Sequence, residues 1–379
     1  MTDPDFLVIG AGIAGVSVAC ELARVARVRV LEQESQIGFH ATGRSAALYA
    51  PAFGNETVRR LTRASGAFFR NPPSGFADYP LIRPRGTLFI ASSAQRATLA
   101  ATLAAFLSHG IRAERVNSRF ARERVPALRA DYLAEALYET ESHDVDVDLL
   151  LQGYARGLTS RGGEIVRATA VSSLRFDGGL WHAMTDSGEH AAPVVINAAG
   201  AWAEQIAAFA GVAPLGLVPL RRTAFTFAPI PHTDVSEWPA VADADEQFYF
   251  KPEAGKLLAS PADETPSVPC DAAPEEWDVA LAVDRVQHAT DLTIARIEHR
   301  WAGLRTFAAD RSPVIGYDTD RPGFFWLAGQ GGYGVQTAPA TARAAAALAA
   351  RQAWPDDLTE SQLSPDAISP ARLRHRRSA

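Results

Sequence analysis

The feature that most constrains this chain is a glycine motif close to its amino terminus. A short apolar run, Phe6–Ile9, leads into GAGIAG at residues 10–15, and the stretch that follows has apolar residues three or four apart. A second apolar run, Val28–Leu31, ends at Glu32. This order of strand, glycine turn, helix, strand and acid is typical of a dinucleotide-binding βαβ unit. It predicts an α/β fold with a parallel sheet.

Each position of this motif has a separate physical role. Gly10 permits the tight turn, Gly12 lets the backbone approach a pyrophosphate, and Gly15 lets helix and strand pack closely. The helix N-terminus offers unpaired N–H groups to phosphate. Glu32 lies 20 residues after Gly12 and can accept a hydrogen bond from a ribose hydroxyl. These positions are therefore predicted to hold a dinucleotide.

A second glycine run lies near the other end of the chain. The strand-like stretch Phe324–Ala328 is followed by GQGGYG at residues 329–334 and by an alanine-rich helical stretch to about Ala350. No strand follows that helix, and so no acid stands at a strand end there; we therefore do not interpret the run as a second dinucleotide motif. A glycine-rich helix start can instead stabilise negative charge that develops on a ring, such as a reduced flavin.

Composition excludes several classes of protein. The chain has 379 residues, of which 47% are hydrophobic and 21% charged, so it is neither disordered nor fibrous. A net charge of −6 is too mild to indicate nucleic-acid binding. With only Cys20 and Cys270, neither a disulfide framework nor a cysteine-rich metal site is expected. We predict a reducing, cytoplasmic location without a membrane span.

One acidic run resembles a metal site. Residues 143–148 read HDVDVD, with three acids in alternation. A hard cation requires oxygens that converge from a loop of fixed geometry, whereas this run leads into the apolar stretch Leu149–Leu158. We interpret Asp148 as a helix N-cap and predict no metal site.

Four stretches of the chain carry a family resemblance when they are taken together. They are Val8–Glu32, Gly38–Ala47 (GFHATGRSAA), Val194–Trp202 (VVINAAGAW) and Gly303–Gly334. In this order they resemble the D-amino-acid oxidase-like family of FAD-dependent enzymes. Within that family, the chain is most similar to the bacterial D-arginine dehydrogenases at residues 38–47, 219–222 (PLRR), 248–252 (FYFKP) and 329–336.

The resemblance implies a discontinuous architecture. A Rossmann-type FAD-binding domain would comprise residues 1–84, 144–219 and 303–379. An inserted α+β substrate-binding domain, built on an antiparallel or mixed sheet, would comprise residues 85–143 and 220–302. Residue patterns agree with this division, because 86–90, 221–227 and 247–250 read as strands and 260–274 as loop.

FAD is the cofactor that the resemblance implies, held without a covalent bond. The residues that it assigns to the cofactor are Gly10, Gly12, Ala14, Gly15, Glu32, Gln33, Thr42, Arg44, Ser45, Ala46, Ala47, Val171, Ala199, Gly200, Gly303, Gly331, Gly332, Tyr333, Gly334 and Gln336. Some relatives attach the flavin through a cysteine ahead of the second glycine run, but residues 310–328 contain none. Others use a histidine in a context that His40 matches in part.

Oxidation of an amino acid at a flavin requires a clamp for the carboxylate, and a guanidinium suits that role best. Arg221, Arg222 and Arg305 qualify. Consecutive residues of a strand face opposite ways, so periodicity alone does not choose between Arg221 and Arg222. The resemblance implies that Arg222 and Arg305 face the substrate and that Tyr249 adds its hydroxyl group.

The side-chain pocket departs from that of the D-arginine dehydrogenases. The pocket residues that the resemblance implies are Leu48, Phe53, Thr87, Ala240, Ala242 and Gly332. The first three stand where those enzymes carry a histidine, a tyrosine and a glutamate, and the two alanines replace bulkier apolar residues. Because the acid is lost, a buried substrate cation would lack a counter-charge.

The expected reaction is therefore oxidative deamination of a D-amino acid with a neutral, apolar or aromatic side chain. Hydride would pass from Cα to flavin N5, and the imine would hydrolyse to a 2-oxo acid and ammonia. No general base is evident, since His40 belongs to the cofactor segment and the direction of Lys251 is open. The electron acceptor, a quinone or oxygen, is left open.

Two other functions remain open. The same clamp would serve oxidation of a secondary amine or a 2-hydroxy acid, and the chain would also suit a flavin-binding subunit without catalysis. The basic tail Arg372–Arg377 is predicted to be a solvated, disordered end. Its alternative role is contact with an anionic membrane surface where a quinone resides.

Overall fold

The computed structural model describes residues 3–229 and 231–374. The strands are β1 Phe6–Ile9, β2 Val28–Leu31, β3 Leu48–Tyr49, β4 Ile82–Pro84, β5 Thr87–Ala91, β6 Ala113–Val116, β7 Glu135–Glu139, β8 His143–Val145, β9 Glu164–Val166, β10 Val171–Asp177, β11 Leu180–Thr185, β12 Gly188–Ala192, β13 Val194–Asn197, β14 Val218–Phe227, β15 Ala240–Asp243, β16 Tyr249–Glu253, β17 Lys256–Ser260, β18 Thr265–Pro266, β19 Ile297–Phe307, β20 Val314–Tyr317 and β21 Phe324–Ala328. The α-helices are α1 Ile13–Leu22, α2 Glu56–Arg70, α3 Arg96–Ser108, α4 Ser118–Arg124, α5 Val147–Thr159, α6 Ala203–Phe209, α7 Glu276–Ala289, α8 Gly334–Ala349, α9 Asp356–Glu360 and α10 Ala371–Arg374.

A six-stranded sheet carries the first glycine motif. Its order is β20-β21-β13-β1-β2-β9, and every pair is parallel except β20 with β21. Successive residues of β1 enter different cores: Val8 packs in the cluster that contains α1 and α8, and Leu7 packs in the cluster that contains Trp181 and Trp326. A parallel sheet covered on both faces is typical of a doubly wound α/β fold.

A nine-stranded sheet forms the second layer. Its order is β18-β14-β17-β16-β15-β5-β7-β6, and β19 pairs with β14. Most of its pairs are antiparallel, but β5 and β15 are parallel, so the sheet is mixed. Phe225, Phe227 and Phe250 are buried beneath α7 in its core. The predicted fold class, a Rossmann-type domain with a mixed-sheet substrate domain, is confirmed; the domain boundaries stay predictions.

The two sheets meet beside the second glycine run. A bridge pairs Phe307, the last residue of β19, with Gln330, which precedes α8. Two three-stranded sheets, β10-β11-β12 and β3-β8-β4, lie outside these layers. Within the described residues, no helix combines the length and apolarity that a membrane crossing requires.

Three local predictions need correction. The N-cap of α5 is Asp146, whose side chain accepts from the backbone N–H of Leu149, and Asp148 lies inside the first turn. Gln247 is not in a strand, because its N–H donates to Asp243 in the turn before β16. The stretch 260–274 is not all loop, since it contains β18.

The C-terminal segment is also different from the prediction. Arg372 pairs with Asp310 at 2.9 Å, and Arg374 pairs with Asp318 at 2.8 Å. Leu373 between them is buried. The prediction of a solvated, disordered tail is therefore wrong for residues 372–374, whereas residues 375–379 lie outside the described part of the chain.

Candidate active site

The carboxyl ends of neighbouring parallel strands open onto one cavity. Gly10 follows β1, Glu32 follows β2, Ala198 follows β13 and the glycine run follows β21. Ligands of doubly wound sheets bind at this edge, because the helix N-termini and the connecting loops converge there. The cavity has a volume of about 350 Å³ and extends from Glu32 to the alanines of β15.

Most of the predicted site residues line this cavity. Those assigned to the cofactor are Gly10, Gly12, Ala14, Glu32, Thr42, Arg44, Ser45, Ala46, Ala47, Ala199, Gly200, Gly303, Gly331, Gly332, Tyr333, Gly334 and Gln336. Those assigned to the substrate are Leu48, Phe53, Thr87, Arg222, Ala240, Ala242, Tyr249 and Arg305. Three cofactor assignments, Gly15, Gln33 and Val171, fall outside the lining.

The first glycine turn is shaped by close backbone approach. Gly10 has φ +103°, and a Cβ there would lie 2.6 Å from the carbonyl oxygen of Ala198. A Cβ at Gly15 would overlap the carbonyl oxygen of Gly10, which explains its place behind the turn instead of in the lining. Gly12 is open except toward the Thr42 hydroxyl. The geometry leaves the backbone at Gly12 accessible to a ligand.

Glu32 is a buried carboxylate that lines the cavity directly after β2. Its Oε2 accepts from the N–H of Ala11 at 2.6 Å, and its Oε1 accepts from the N–H of Glu34 at 2.9 Å. Burial raises the pKa of this carboxyl, and the two backbone hydrogen bonds counteract that shift. These bonds hold the acid at the position where a ribose acceptor is expected.

The second glycine run lies beside β19, the strand that carries Arg305 and Phe307. Gly331 has φ +57°, and a Cβ there would overlap the ring of Phe307. A Cβ at Gly332 would lie 2.6 Å from Arg305 Nη1. The first residues of α8, among them Gln336, line the cavity, and a helix start carries N–H groups without intrahelical partners.

Arg221 and Arg222 separate onto the two faces of β14. Arg222 lines the cavity, and its Nε donates to the carbonyl oxygen of Asp263 at 2.8 Å. Arg221 turns away from the cavity and pairs with Glu275 and, at 3.0 Å, with Asp278. The structure thus brings Arg222 toward Tyr249, whose ring centroid lies 5.9 Å from the guanidinium carbon.

Arg305 is the second guanidinium that lines the cavity, and its side chain is as little exposed as that of Arg222. Burial, reinforced by the neighbouring charge of Arg222, lowers the pKa of Arg305 to about 10. Its Nη2 donates to Glu264 at 2.7 Å, whereas its Nε has no hydrogen-bond partner among the described residues. Gln330 Nε2 and Thr306 Oγ1, which belong to other cavity-lining residues, are buried and have no hydrogen-bond partner in the part of the chain that the structure describes.

Glu264 was missed by the sequence analysis. It lies in the loop before β18 and contacts the guanidinium groups of Arg222, Arg305 and Arg311. Although burial alone would raise it, the pKa of this carboxyl lies below its usual value because Arg311 donates to it and all three arginines are nearby. No motif marks Glu264, since its partners lie more than 40 residues away.

The side-chain pocket is mainly apolar. Phe53 packs on Phe89, with ring centroids 5.5 Å apart, and Ala242 belongs to the same apolar cluster. The hydroxyl of Thr87 donates to Ser142 at 3.0 Å, and Ser142 donates in turn to the buried carboxylate of Glu139. The hydroxyl of Thr87 therefore already donates its proton to Ser142, and it can only accept a hydrogen bond from a ligand.

The two groups considered as bases are both engaged. Lys251 is buried and does not line the cavity, because its ammonium pairs with Asp144 at 3.0 Å and Glu253 at 2.7 Å. His40 does line the cavity. Its ring centroid lies 4.6 Å from that of Trp202 in a tilted arrangement, and its Nε2 contacts Glu34 at 2.9 Å. Trp202, at the end of the VVINAAGAW stretch, is a further lining residue without a predicted role.

The lining residues fit a flavin dinucleotide. The open backbone at Gly12 and the carboxylate of Glu32 suit the pyrophosphate and ribose, respectively. At the other end, the unpartnered buried Nε2 of Gln330 and the N-terminus of α8 supply donors for a ring that becomes negative. Within the described residues, no group of three or more His, Cys, Asp or Glu side chains is arranged to hold a metal ion.

A family model and several known proteins are similar to this chain over much of its length. The family model described as "FAD dependent oxidoreductase" matches residues 5–348. FAD-dependent oxidoreductase domain-containing protein 1 of Bos taurus is 26% identical over 91% of this chain and 80% of its own length. Glycine oxidase of Geobacillus kaustophilus is 28% identical over 64% of this chain and 63% of its own length.

Two further similar proteins are named as dehydrogenases. L-2-hydroxyglutarate dehydrogenase of Escherichia coli K12 is 26% identical over 59% of this chain and 54% of its own length. The crystal structure of L-proline dehydrogenase from P. horikoshii superposes with a TM-score of 0.83, at 22% identity, over 98% of each chain. At that identity the superposition shows the shared fold alone.

Proposed function

Because this chain belongs to the FAD-dependent oxidoreductase family, we propose that it oxidises a D-amino acid with a neutral side chain, giving a 2-oxo acid and ammonia. FAD is the cofactor of this family, and when bound it supplies a two-electron acceptor for hydride. In this proposal the residues of the chain bind the carboxylate and orient Cα.

The observation that carries the proposal is the pair of guanidiniums on adjacent strands. Arg222 on β14 is paired with Gly303 on β19, two residues from Arg305, and both arginines line the cavity that the glycine turns also line. Planar guanidinium groups bind a carboxylate with paired donors and fix its orientation. A clamp of this kind makes the transfer step effectively unimolecular, which lowers its barrier.

The wall around the clamp supports a neutral side chain. Leu48, Phe53 and the two alanines of β15 offer apolar surface, and the one hydroxyl among them, on Thr87, is uncharged. Of the lining acids, Glu32 is bonded to backbone N–H groups, Glu264 is neutralised by three arginines, and Glu246 is exposed. A buried substrate cation would therefore lack a counter-charge.

Proton transfer is assigned to solvent in this proposal. The substrate amine must be neutral before hydride leaves Cα, and neither His40 nor Lys251 offers a free base to it. Tyr249 contributes a hydrogen bond to the carboxylate in this scheme. The electron acceptor, a quinone or oxygen, and the cytoplasmic location stay predictions.

A second candidate is oxidation of a secondary amine or a 2-hydroxy acid. It is favoured by the similarity to an L-2-hydroxyglutarate dehydrogenase, because the clamp recognises a carboxylate and not the group that is oxidised. Glycine oxidase, named for an amino acid, favours the first candidate. The special likeness to D-arginine dehydrogenases stays a prediction.

The test is an anaerobic visible spectrum of the FAD-loaded protein, recorded before and after each member of a substrate panel. D-leucine and D-phenylalanine are expected to bleach the oxidised band, and their L-enantiomers are not. Bleaching by D-proline, sarcosine or a 2-hydroxy acid instead would support the second candidate. A protein that binds FAD but is bleached by none of these compounds would contradict both candidates and indicate a non-catalytic subunit.

A further inference from the structure

The carboxylate of Glu264 contacts both guanidiniums of the proposed clamp. Its Oε1 is 2.7 Å from Arg305 Nη2 and 3.5 Å from Arg222 Nη2. A substrate carboxylate that bridges these two guanidiniums needs the position of that same oxygen. Glu264 and the substrate are therefore competitors for one set of donors.

Arg311 gives Glu264 a second set of donors. Its Nη1 lies 3.1 Å from Oε2 and its Nη2 lies 2.8 Å from Oε1, so the pair is bidentate. The guanidinium of Arg311 stacks 3.9 Å above the Phe307 ring and is 44% exposed, which places it at the outer side of the carboxylate. Glu264 can thus leave the clamp without losing every partner.

The charge on Arg305 makes the exchange favourable. This guanidinium is largely buried, and a buried cation without a counter-charge is strongly disfavoured. Glu264 supplies that counter-charge when no substrate is present, and the substrate carboxylate would supply it in turn. An uncharged amine offers no such replacement.

The position of Glu264 in the chain permits the movement. It belongs to the loop that connects β17 with β18, and β18 is a two-residue strand at the edge of the sheet. A change of its side-chain rotamer breaks no hydrogen bond within the sheet, because its described contacts are made by its carboxylate.

We propose that Glu264 is a specificity-determining residue that occupies the clamp until a substrate carboxylate displaces it onto Arg311. This inference rests on the clamp of the proposed function. Its consequence is that Glu264 sets the affinity of the site for carboxylates and rejects amines that have no carboxylate.

The first experiment is calorimetric titration of the FAD-loaded protein with benzoate, a planar carboxylate on an apolar ring. Glu264→Gln keeps the size of the side chain and removes the competing charge, so benzoate should bind about tenfold more tightly. The matched control is Glu275→Gln, which removes an acid from the ion pair of Arg221 outside the cavity. Its dissociation constant should equal that of the wild type.

The second experiment asks whether Arg311 acts through Glu264. Arg311→Met removes the alternative partner, so Glu264 should hold the clamp more firmly and benzoate should bind about tenfold more weakly. In the double variant Glu264→Gln/Arg311→Met most of this loss should disappear, because no competitor remains. Thermal unfolding of each variant shows whether it retains its fold.

The outcomes distinguish this inference from the function on which it rests. If neither the wild type nor Glu264→Gln binds benzoate, the clamp itself is wrong, and both proposals fail. If the wild type binds benzoate and Glu264→Gln binds it equally or more weakly, Glu264 orients Arg305 and does not compete, and only this inference is overturned. Additive effects of the two substitutions would overturn it as well.

Discussion

Arg221 and Arg222 are adjacent in the chain and have separate sets of ion-pair partners. Arg222 faces the cavity and lies 3.5 Å from Glu264, whereas Arg221 pairs with Glu275 and Asp278 beside α7. Both guanidiniums are mostly buried, and both belong to the same strand. The pair therefore offers an internal control for the role of charge in the clamp.

Arg222→Met should lower kcat/KM for the best amino-acid substrate by about 10²- to 10³-fold, because it removes one donor pair from the carboxylate. Arg221→Met should leave kcat/KM within about threefold of the wild type and lower stability by about 1–3 kcal/mol, because it leaves the buried carboxylate of Asp278 without its cation. Steady-state kinetics and thermal unfolding measure both effects. Equal losses of activity in the two variants would contradict the assignment of Arg222.

Carboxylate binding should weaken as the pH rises through about 10. The reason is that burial lowers the pKa of Arg305 to about 10, so this cation loses its proton above that pH instead of near 12.5. Benzoate is the suitable ligand because its own carboxyl does not titrate in this range. The Tyr249→Phe variant is the control, because it removes the phenol group of Tyr249. Its benzoate affinity should still decrease as the pH rises through about 10. Affinity that is constant up to pH 11 would refute this assignment.

Gly331→Ala should destabilise the protein more than Gly179→Ala. Both glycines have positive φ, +57° and +84°, so backbone strain of about 1 kcal/mol is common to the two variants. The new Cβ at Gly331 would overlap the Phe307 ring, whereas at Gly179 it would have no described atom within 4 Å. We expect an additional loss of about 2 kcal/mol in the free energy of unfolding of Gly331→Ala. Denaturant titration of the two variants gives this difference directly.

Thr87→Glu should shift substrate preference toward D-arginine. A carboxylate at this cavity-lining position would supply the counter-charge that a substrate guanidinium requires. The ratio of kcat/KM for D-arginine over D-leucine should rise at least about tenfold. Thr87→Gln has the same length without the charge and should not change the ratio in this direction. A similar rise in both variants would mean that size, and not charge, controls the pocket.

Acid precipitation of the FAD-loaded protein should leave the yellow colour in the supernatant. His40 matches in part the context of a flavin-linked histidine, and it lines the cavity. Its Nε2 lies 2.9 Å from the carboxylate of Glu34. That contact favours a structural role for the ring over a bond to the flavin. A yellow pellet would show covalent attachment, and a His40→Asn variant would then identify the residue by losing the coloured pellet.

Local patterns determined the elements that build the cofactor end of the site. The strand Phe6–Ile9, the glycine turn after it and the strand Val28–Leu31 follow from short apolar runs, helical spacing and glycine positions, all within about 30 residues. Such signals are readable because the backbone geometry of a tight turn depends on the residues of the turn itself. The bounds were less certain, as Asp146 and Gln247 show.

The substrate end depended on contacts that no local pattern contains. Periodicity could not choose between Arg221 and Arg222, because the two faces of a strand become different only when the sheet packs against something. Glu264 lies 41 residues before Arg305, and the pairing of β14 with β19 brings this clamp together. The sequence by itself determined a nucleotide-binding turn and a family. Tertiary structure alone decided which charges meet, since charge pairs form between side chains that the folded sheets bring within a few ångströms.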